Sequence, residues 1–269
     1  MRIATWNVNG LRARAERVAT WLDAAKPDIV LLQETKCDPS QIPEGLFAPR
    51  SYEVAAIGAG GRNGVLIASR LGLSEVQESI ADYAPKSRDE SLPDLLSEPR
   101  LISAVCGGIR VASVYAPNGR EVDAPHFHAK LHWYGALQAW SAERIAERAP
   151  LVLGGDFNVA PTDADVWDPS ALVGATHVTP RERAAWNSLL DLGLLDAAQA
   201  VAATGERAPF TWWDYRGGAF HRGWGMRIDH LLVEPRAGEI LTSSVDRDGR
   251  KGESPSDHAA LLIDLEQPA

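Results

Sequence analysis

The segment LVLGGDFNV, residues 151–159, restricts most strongly how this chain can fold. Its first three residues are apolar and predict a buried strand. Gly154 and Gly155 then leave room for another group to approach the backbone closely. Asp156 and Asn158 would point the same way on an extended chain, so a carboxylate and an amide would lie at the strand end. These groups can deprotonate water, bind a metal or hold a phosphate oxygen, although a solvated turn is the alternative.

Other predicted strands also end in polar side chains. The strand predicted over residues 3–8 ends in the segment NVNG, in which Asn7 and Asn9 would share a face. The apolar strand over residues 28–32 runs directly into Glu34. Polar groups at the ends of several strands are unlikely to occur by chance, so this pattern favours a functional site over a set of unrelated turns.

The second half of the chain repeats this pattern. A predicted hairpin ends at Tyr115, and Asp257 and His258 immediately precede the last predicted strand. Asp229 lies inside the apolar run RIDHLLV, and a buried aspartate needs a partner. Hairpins mixed with a few helices, rather than strict alternation, predict two packed sheets flanked by helices.

Three helices are predicted. An amphipathic pattern covers residues 13–25, a longer helix covers residues 125–148, and a capping box with proline at the first helical position opens a third at residues 179–182. His128 and His132 lie one turn apart and could bind zinc. No third ligand is evident beside them, so we favour a plain surface pair.

Composition limits the class of protein. The chain has 269 residues, 45% hydrophobic and 23% charged, without a linker or strong repeat, so we expect one domain over residues 1–269. The longest apolar runs, such as IVLL, are too short to cross a membrane. The start MRIATWNV lacks the profile of a signal peptide, and two cysteines cannot form a disulfide framework. These features predict a cytoplasmic location.

The net charge of -9 is unfavourable for a nucleic-acid-binding protein, because phosphate contacts need Lys and Arg. Net charge is not a local field, however. Acidic residues that bind a metal count as negative in this sum, yet the metal attracts phosphate. A nucleic-acid substrate is therefore not excluded.

The polar strand ends together contain the parts of a hydrolytic site. They are Asn7, Asn9, Glu34, Tyr115, Asp156, Asn158, Asp229, Asp257 and His258. With no Cys/His cluster, the carboxylates indicate Mg²⁺ or Mn²⁺ rather than zinc. His258 can donate to a phosphate oxygen, and Asp229 can fix its tautomer and stabilise its charge. Such a set can hydrolyse a phosphate ester with an activated water.

Seven segments resemble the exonuclease III family of abasic-site endonucleases: WNVNGLRAR, LLQETK, VYAPNG, LGGDFNVAPTDAD, FTWWDYR, MRIDHLLV and PSDHAAL. They span residues 3–263 in the family's order. As a set, LQETK, GDFN and SDH are specific for the wider endonuclease/exonuclease/phosphatase superfamily, and WWDYR and RIDHLL narrow it to the DNA-repair branch. The resemblance implies a four-layer α/β sandwich with two packed mixed β-sheets flanked by helices.

The implied activity is that of a Mg²⁺-dependent DNA-repair phosphodiesterase, with Mn²⁺ able to substitute. It would cleave 5′ of abasic sites in duplex DNA, with 3′–5′ exonuclease and/or 3′-phosphatase activity, in base excision repair. The expected partner is double-stranded DNA with abasic sites or 3′ ends, with no membrane involved and with the protein as a monomer. By the family's pattern Glu34 is the main Mg²⁺ ligand, helped by Asn9 and Asp257, and Asn7 belongs to the same group.

The resemblance also implies catalytic roles. Asp156 would orient or deprotonate the attacking water, and Asn158, together with Asn7, would hold phosphate and water in place. Tyr115 and His258 would contact the scissile phosphate, with Asp229 behind His258.

Substrate-binding residues are implied at Asn118, Arg120, Trp212, Arg216, Met226 and Ile228. Trp212, Met226 and Ile228 fall where relatives build an apolar pocket for the flipped-out sugar, which would reject a normal nucleotide by shape. Arg120 and Arg216 fall near positions that relatives push into the duplex.

The sequence leaves the roles of some residues open. Core packing is the other role for Trp212, although the adjacent Trp213 must face the opposite way on a strand. The loop of residues 160–180 touches DNA and gates exonuclease activity in relatives, and its sequence here leaves open the balance between abasic-site endonuclease, exonuclease and 3′-phosphatase activities.

Two other functions are possible: a phosphodiesterase acting on a lipid, an inositol phosphate or RNA, and a non-catalytic binding module. The repair-branch segments argue against the former, and the intact set of acids and His258 argues against the latter.

Overall fold

The computed structural model describes residues 1–86, 91–203 and 206–266. Within these ranges the strands are, in chain order, β1 (Arg2–Asn7), β2 (Ile29–Gln33), β3 (Glu53–Ile57), β4 (Val65–Ser69), β5 (Ser74–Gln77), β6 (Leu101–Cys106), β7 (Ile109–Tyr115), β8 (Leu151–Asp156), β9 (Leu195–Asp196), β10 (Trp212–Trp213), β11 (Gly225–Met226), β12 (Asp229–Val233), β13 (Glu239–Asp246) and β14 (Ala260–Glu266). The α-helices are α1 (Ala15–Ala25), α2 (Pro125–Ile145), α3 (Pro180–Leu190), α4 (Ala197–Ala200) and α5 (Ala219–Arg222). Across the described ranges, no helix has the length and apolar character needed to span a membrane.

The strands form two six-stranded sheets and one short ribbon. The first sheet has the order β13-β14-β1-β2-β4-β3, the second has the order β5-β6-β7-β8-β12-β9, and β10 pairs with β11. In each sheet one central pair is parallel, β1 with β2 and β7 with β8. The remaining pairs are antiparallel, so both sheets are mixed.

The two sheets pack face to face between layers of helix. Ile3 of the first sheet and Val152 of the second belong to one buried cluster. Helix α1 covers the outer face of the first sheet through Leu22, and α2 and α3 cover the outer face of the second through Trp133 and Trp186. Each amphipathic element buries its apolar face in this way. The expected four-layer α/β sandwich is confirmed.

Sheet topology brings the polar strand ends together. Because β1 and β2 are parallel, Asn7 and Gln33 lie in register at one edge. The parallel pair β7 and β8 likewise places Tyr115 level with Asp156. Antiparallel neighbours begin where these strands end, as Asp229 pairs with Asp156 at the start of β12. The carboxyl ends of the parallel strands and the amino ends of their antiparallel neighbours thus converge on one edge of the sandwich.

The two glycines of β8 make room for the protein's own chain rather than for a ligand. A Cβ on Gly154 would lie 2.5 Å from Leu31 Cδ1 of the opposite sheet and 2.6 Å from Leu231 Cδ2. A Cβ on Gly155 would lie 1.8 Å from the carbonyl oxygen of Val114 on the paired strand. The predicted close approach is therefore one between sheets and between strands.

Several predicted boundaries differ from the structure. The apolar run RIDHLLV, residues 227–233, forms a strand only from Asp229 onward. Helix α1 begins at Ala15 because residues 12–14 form a 3-10 turn. Edge strand β13 was not predicted, because none of its residues is fully buried and its sequence lacks a clear apolar alternation. The expectation of one domain includes residues 87–90, 204–205 and 267–269, which lie outside the described residues, and it stays a prediction.

Candidate active site

Three of the converging strands turn away through residues in the left-handed backbone conformation. Asn9, Glu34 and Asn158 have φ angles of 47°, 49° and 52°. Asn7 Oδ1 accepts from the Asn9 N–H at 3.0 Å, and Asp156 Oδ1 accepts from the Asn158 N–H at 3.0 Å. Short Asn and Asp side chains favour turns of this kind. The premise that the chain is extended through Asn9 and Asn158 is therefore wrong, although both residues remain at the shared edge.

Asn7 lies at the centre of the site. Its side-chain amide donates to Glu34 Oε1 at 2.9 Å and to Asp156 Oδ2 at 2.9 Å. One neutral amide thus bridges a carboxylate of the first sheet and a carboxylate of the second. Ligand atoms of Glu34, Asp156 and His258 all lie within 4.8 Å of one another. The structure therefore brings these four predicted site residues together.

His258 is held as a charged hydrogen-bond donor. Its Nδ1 lies 2.8 Å from Asp229 Oδ2, and its Nε2 lies 3.8 Å from Asp156 Oδ2. Burial lowers the pKa of His258, but the charges of Asp229 and Asp156 outweigh burial and raise that pKa to about 10. A charged imidazole donates from both nitrogens and is not a metal ligand. With Nδ1–H bound by Asp229, Nε2–H is directed toward the carboxylate cluster.

Two further residues fix the backbone around His258. Trp6 Nε1 donates to the His258 carbonyl at 3.1 Å. Ser256 Oγ donates to the Asn7 carbonyl at 2.7 Å and accepts from the His258 N–H at 3.2 Å. Neither residue was predicted to belong to the site, because an indole N–H in an apolar strand gives no sign of its distant partner.

Burial raises the pKa of Asp156 to about 7, and the positive charge of His258 opposes that rise. A carboxylate with a pKa near neutral is well matched to accept a proton from water. Tyr115, level with Asp156 on β7, has its pKa raised well above the usual value by burial and by the charge of Glu34. Its hydroxyl therefore stays protonated and can donate a hydrogen bond.

Lys36 lies between two members of the predicted metal group. Its Nζ is 2.9 Å from Glu34 Oε2 and also donates to Asn9 Oδ1. Asn9 Nδ2 donates to Asp257 Oδ1 at 2.9 Å, and Trp212 Nε1 donates to Asp257 Oδ2 at 3.1 Å. Glu34, Asn9 and Asp257 are thus linked through Lys36 and the Asn9 amide into one row of side-chain oxygens, the oxygen row, which already contains the Lys36 ammonium group.

These residues fit a hard divalent cation. Burial alone would raise the pKa of Glu34, but the Asn7 amide and the Lys36 ammonium lower it, so Glu34 is ionised. Carboxylate and amide oxygens are the ligands that such cations take. His128 and His132 do not belong to the set of described residues whose positions could hold a metal ion, Glu34, Asp156 and His258, and His128 Nδ1 lies instead 3.2 Å from an Arg181 guanidinium nitrogen.

A wall of three polar side chains, Asn118, Asn158 and His177, lies on the other side of Asp156. Asn118 Nδ2 donates to Asn158 Oδ1 at 3.3 Å. His177 Nδ1 lies 2.6 Å from the Asn158 carbonyl, and His177 Nε2 lies 3.4 Å from Asn118 Nδ2. Burial lowers the pKa of His177 to about 4, so the ring is neutral, and these partners assign its proton to Nδ1. His177 was not predicted as a site residue, since an isolated histidine in a long loop carries no local signal.

Apart from Asn118, which lies in the wall, the predicted substrate-binding residues fall into two groups. Met226 and Ile228 are 6% and 2% exposed and share an apolar cluster with Trp212. Arg120 and Arg216 are exposed at the surface, and the Arg216 side chain is 93% exposed. The apolar cluster adjoins the metal group because Trp212 contacts both. Trp213, by contrast, is 1% exposed, so the adjacent tryptophans face opposite ways as predicted.

The fold and the site together define a class of protein. A sandwich of two mixed sheets carries an acid–histidine cluster and, beside it, a row of side-chain oxygens that could hold a cation, and these are the parts of a phosphoester hydrolase. The chain belongs to the Endonuclease/Exonuclease/phosphatase family, whose model matches residues 4–258. It is a metal-dependent hydrolase and a nuclease.

Relatives with curated functions agree with this assignment. The chain is 28% identical to "Exodeoxyribonuclease III" of Haemophilus influenzae, over 98% of this chain and 100% of the relative. It is 30% identical to "Exodeoxyribonuclease" of Bacillus subtilis, over 92% of this chain and 94% of the relative.

Solved structures show the same fold. A 3′ phosphatase from Neisseria, NExo, bound to a product DNA hairpin, matches with a TM-score of 0.89 and 37% identity over 99% of each chain. An AP endonuclease from Archaeoglobus fulgidus matches with a TM-score of 0.89 and 34% identity over 99% of each chain.

Proposed function

We propose that this protein is a Mg²⁺-dependent DNA-repair phosphodiesterase of the exonuclease III type. It cleaves the phosphodiester 5′ of abasic sites in duplex DNA and processes 3′ ends as a 3′–5′ exonuclease and/or 3′-phosphatase. Mn²⁺ substitutes for Mg²⁺, and the protein acts as a monomer in the cytoplasm. The observation that carries the proposal is the Asn7 amide that joins Glu34 to Asp156 beside the charged His258.

The roles of the cluster follow from its contacts. Asp156 accepts the proton of the attacking water, because its raised pKa makes it a stronger base than an exposed aspartate. Asn7 holds the Asp156 carboxylate in place. His258 donates its Nε2–H to a phosphate oxygen and stabilises the charge that develops there, while Asp229 maintains the charged ring.

The remaining predicted residues position the substrate. The Tyr115 hydroxyl donates a hydrogen bond to the scissile phosphate. Asn158 and Asn118 bind phosphate and water from the opposite side. Asn7, predicted in the metal group, orients the acids instead, because its amide N–H groups donate to Glu34 and Asp156 and its Oδ1 accepts from the Asn9 N–H. A Mg²⁺ ion held by Glu34, with Asn9 and Asp257, would neutralise phosphate charge and polarise the phosphorus–oxygen bond. The order of the oxygen row, from Glu34 through Asn9 to Asp257, supports this ligand set.

Two observations bear on the balance of activities. Similarity to an AP endonuclease supports incision at abasic sites, and Arg120 and Arg216 are exposed where they can enter a duplex. A narrower function, on 3′ ends alone, is favoured by the closed state of the apolar cluster. Leu172 and Val178 of the 160–180 loop pack against the cluster that contains Met226 and Ile228, and these two residues are only 6% and 2% exposed to a flipped-out sugar.

One assay tests both versions. Three labelled duplexes, carrying one abasic-site analogue, a 3′-phosphate or neither, are incubated with Mg²⁺ or with EDTA. Mg²⁺-dependent cleavage at the analogue supports the full proposal, and laddering or phosphate release measures the 3′-end share. Activity on 3′ ends without cleavage at the analogue supports the narrower function. No activity on any duplex overturns both and favours a phosphodiesterase of another substrate class.

A further inference from the structure

A buried ion pair lies directly behind the wall of Asn118, Asn158 and His177. Lys130 of α2 and Glu182 of α3 are both 0% exposed, and Lys130 Nζ lies 2.5 Å from Glu182 Oε1. Replacing a buried ion pair by apolar residues of similar volume is often neutral or stabilising, because removing two charges from water is costly. Stability of the α2–α3 contact alone therefore gives no reason for charged residues at these two positions.

Lys130 holds the two amide residues of the wall by their backbones. Its Nζ donates to the Asn158 carbonyl at 2.7 Å and lies 3.4 Å from the Asn118 carbonyl. Asn158 follows β8 and Asn118 follows β7, so a single ammonium group ties together the exits of both strands.

Glu182 holds the third member of the wall from the opposite side. Its Oε1 accepts from the His177 N–H at 2.9 Å and from Thr176 Oγ1 at 2.8 Å. Its Oε2 accepts from the Thr179 N–H at 3.2 Å, which is the capping-box bond of α3, and from Thr179 Oγ1 at 2.8 Å. The capping role explains the Oε2 contacts but leaves the Oε1 contacts, with His177, Thr176 and Lys130, unexplained.

We propose that Lys130 and Glu182 are positioning residues that set the spacing between His177 and the two amides, and thereby determine which group at the substrate's reacting end the wall accepts. The inference rests on the proposed function, in which Asn118 and Asn158 bind the substrate. Displacement of a positioned group by about 1 Å can cost about a hundredfold in rate. An ion pair that reaches all three members of the wall is thus able to control substrate preference without touching substrate.

The test compares uncharged variants of near-equal size in the full chain. Lys130→Met, Glu182→Gln and the double variant are assayed on the three duplexes described above, with kcat and KM determined on each one that the wild type cleaves. Glu182→Gln retains the capping box, since Gln serves at that position as well as Glu. Arg110→Met is the control, because Arg110 is 1% exposed, pairs with Glu75 and Glu147, and lies at the opposite end of β7 from Tyr115.

We expect each single variant to change the kcat/KM ratio between two duplexes by about tenfold or more, or to lower kcat by about tenfold at nearly unchanged KM if only one duplex is cleaved. The control lowers Tm and leaves these quantities within about twofold. We expect the double variant to have a higher Tm than Lys130→Met, because no unpaired buried charge remains. Its kcat/KM ratio between duplexes should still differ from that of the wild type.

The inference is overturned if the variants lower Tm as the control does but leave kcat and the kcat/KM ratio between duplexes unchanged. The ion pair would then have only a structural role. If Lys130→Met does not fold, Glu182→Gln decides the matter by the same criteria. A wild type that is inactive on every duplex overturns the proposed function instead, so the two failures are distinguishable.

Discussion

At the scale of single residues, Asp156 illustrates how the site sets its own chemistry. Burial raises its pKa to about 7, while His258 contributes an opposing positive charge. The Asn7 amide donates a hydrogen bond to Asp156 Oδ2, and the Asn158 backbone N–H donates one to Asp156 Oδ1. The carboxylate is therefore oriented by neutral groups and tuned by burial, which is the arrangement expected of a base that acts on water.

We predict that Asp156→Asn keeps the fold and DNA binding but lowers turnover by roughly 10²–10⁴-fold, the usual contribution of a general base. The amide is nearly isosteric with the carboxylate but cannot take a proton from water. Single-turnover cleavage of the preferred duplex and a gel-shift assay in EDTA measure the two effects separately. A variant that cleaves at close to the wild-type rate would show that another group activates the water.

Glu34→Ala is expected to raise the Mg²⁺ concentration needed for half-maximal activity, because it removes one of the two ionised carboxylates of the oxygen row. A metal titration of cleavage rate measures this. Asp264→Asn is the matched control, since Asp264 pairs with Arg2 on the surface. An unchanged titration in Glu34→Ala would exclude Glu34 as the main ligand.

The environment of His230 leads us to predict how the free energy of unfolding depends on pH. Its Nε2 lies 3.0 Å from the Val159 carbonyl and its Nδ1 lies 3.0 Å from an Arg227 guanidinium nitrogen, so the neutral ring carries its proton on Nε2. Burial, together with the Arg227 charge, lowers the pKa of His230 to about 3. In the unfolded chain this pKa returns to about 6.5.

Between pH 6.5 and about 3 the unfolded state therefore binds more protons at His230 than the folded state does. The free energy of unfolding should fall as the pH is lowered through this window, by at most about 1.4 kcal/mol per pH unit from this group. Urea unfolding at pH 7 and pH 5 should show a smaller difference for His230→Gln than for the wild type. The exposed His221→Gln is the control, and equal pH dependence in all three proteins would contradict the prediction.

At the scale of elements, strand β8 links the packing of the sandwich to the site. Gly154 admits Leu31 of the opposite sheet, Gly155 admits the backbone of β7, and the next residue is Asp156. The two glycines therefore allow the sheets and strands to approach closely at the point where the polar ends must meet.

Gly155→Ala should destabilise the protein by at least roughly 1–3 kcal/mol, the usual cost of overpacking, because the new Cβ meets a backbone oxygen that no rotamer change can move. Denaturant unfolding measures the change. Gly249→Ala is the control, because the nearest heavy atom to its Cβ would be Trp6 Cζ2 at 3.9 Å. Equal stability of the two variants would mean that β7 and β8 can separate without cost.

At the scale of the whole molecule, the two sheets share one apolar core. The buried cluster between them contains Ile3, Ile29 and Leu31 of the first sheet and Val111, Val152 and Leu231 of the second. The site also depends on both sheets, because Asn7 joins a carboxylate from each. Neither sheet can bury its inner face, or complete the site, without the other.

We therefore predict one cooperative unfolding transition, as expected of a single domain. Tryptophan fluorescence and far-UV circular dichroism, followed in the same urea titration, should give coincident curves. Addition of Mg²⁺ and a duplex substrate analogue should shift the whole transition to higher urea, because ligands that bind only the folded state stabilise it. Two separated transitions would show that the sheets belong to independent units.

The sequence alone determined the architecture and most of the candidate site. Apolar runs followed by Asn7, Glu34, Asp156 or Asp229 predict strands with polar ends, since burial and side-chain periodicity are local properties. The motifs around them indicate the family. The left-handed turns at Asn9 and Asn158 were missed, because each depends on the hydrogen bond that the preceding side chain makes in the folded chain.

Only the tertiary structure decided which groups touch. The Asn7 bridge, the contact of Trp6 with the His258 carbonyl, and the Lys130–Glu182 pair behind His177 each join residues far apart in the chain. Such contacts depend on strand order and on how the helices cover the sheets, and a local pattern of apolar and polar residues does not encode either. The sequence therefore specifies which chemical groups reach the edge of the sandwich, and packing specifies how they are oriented and charged.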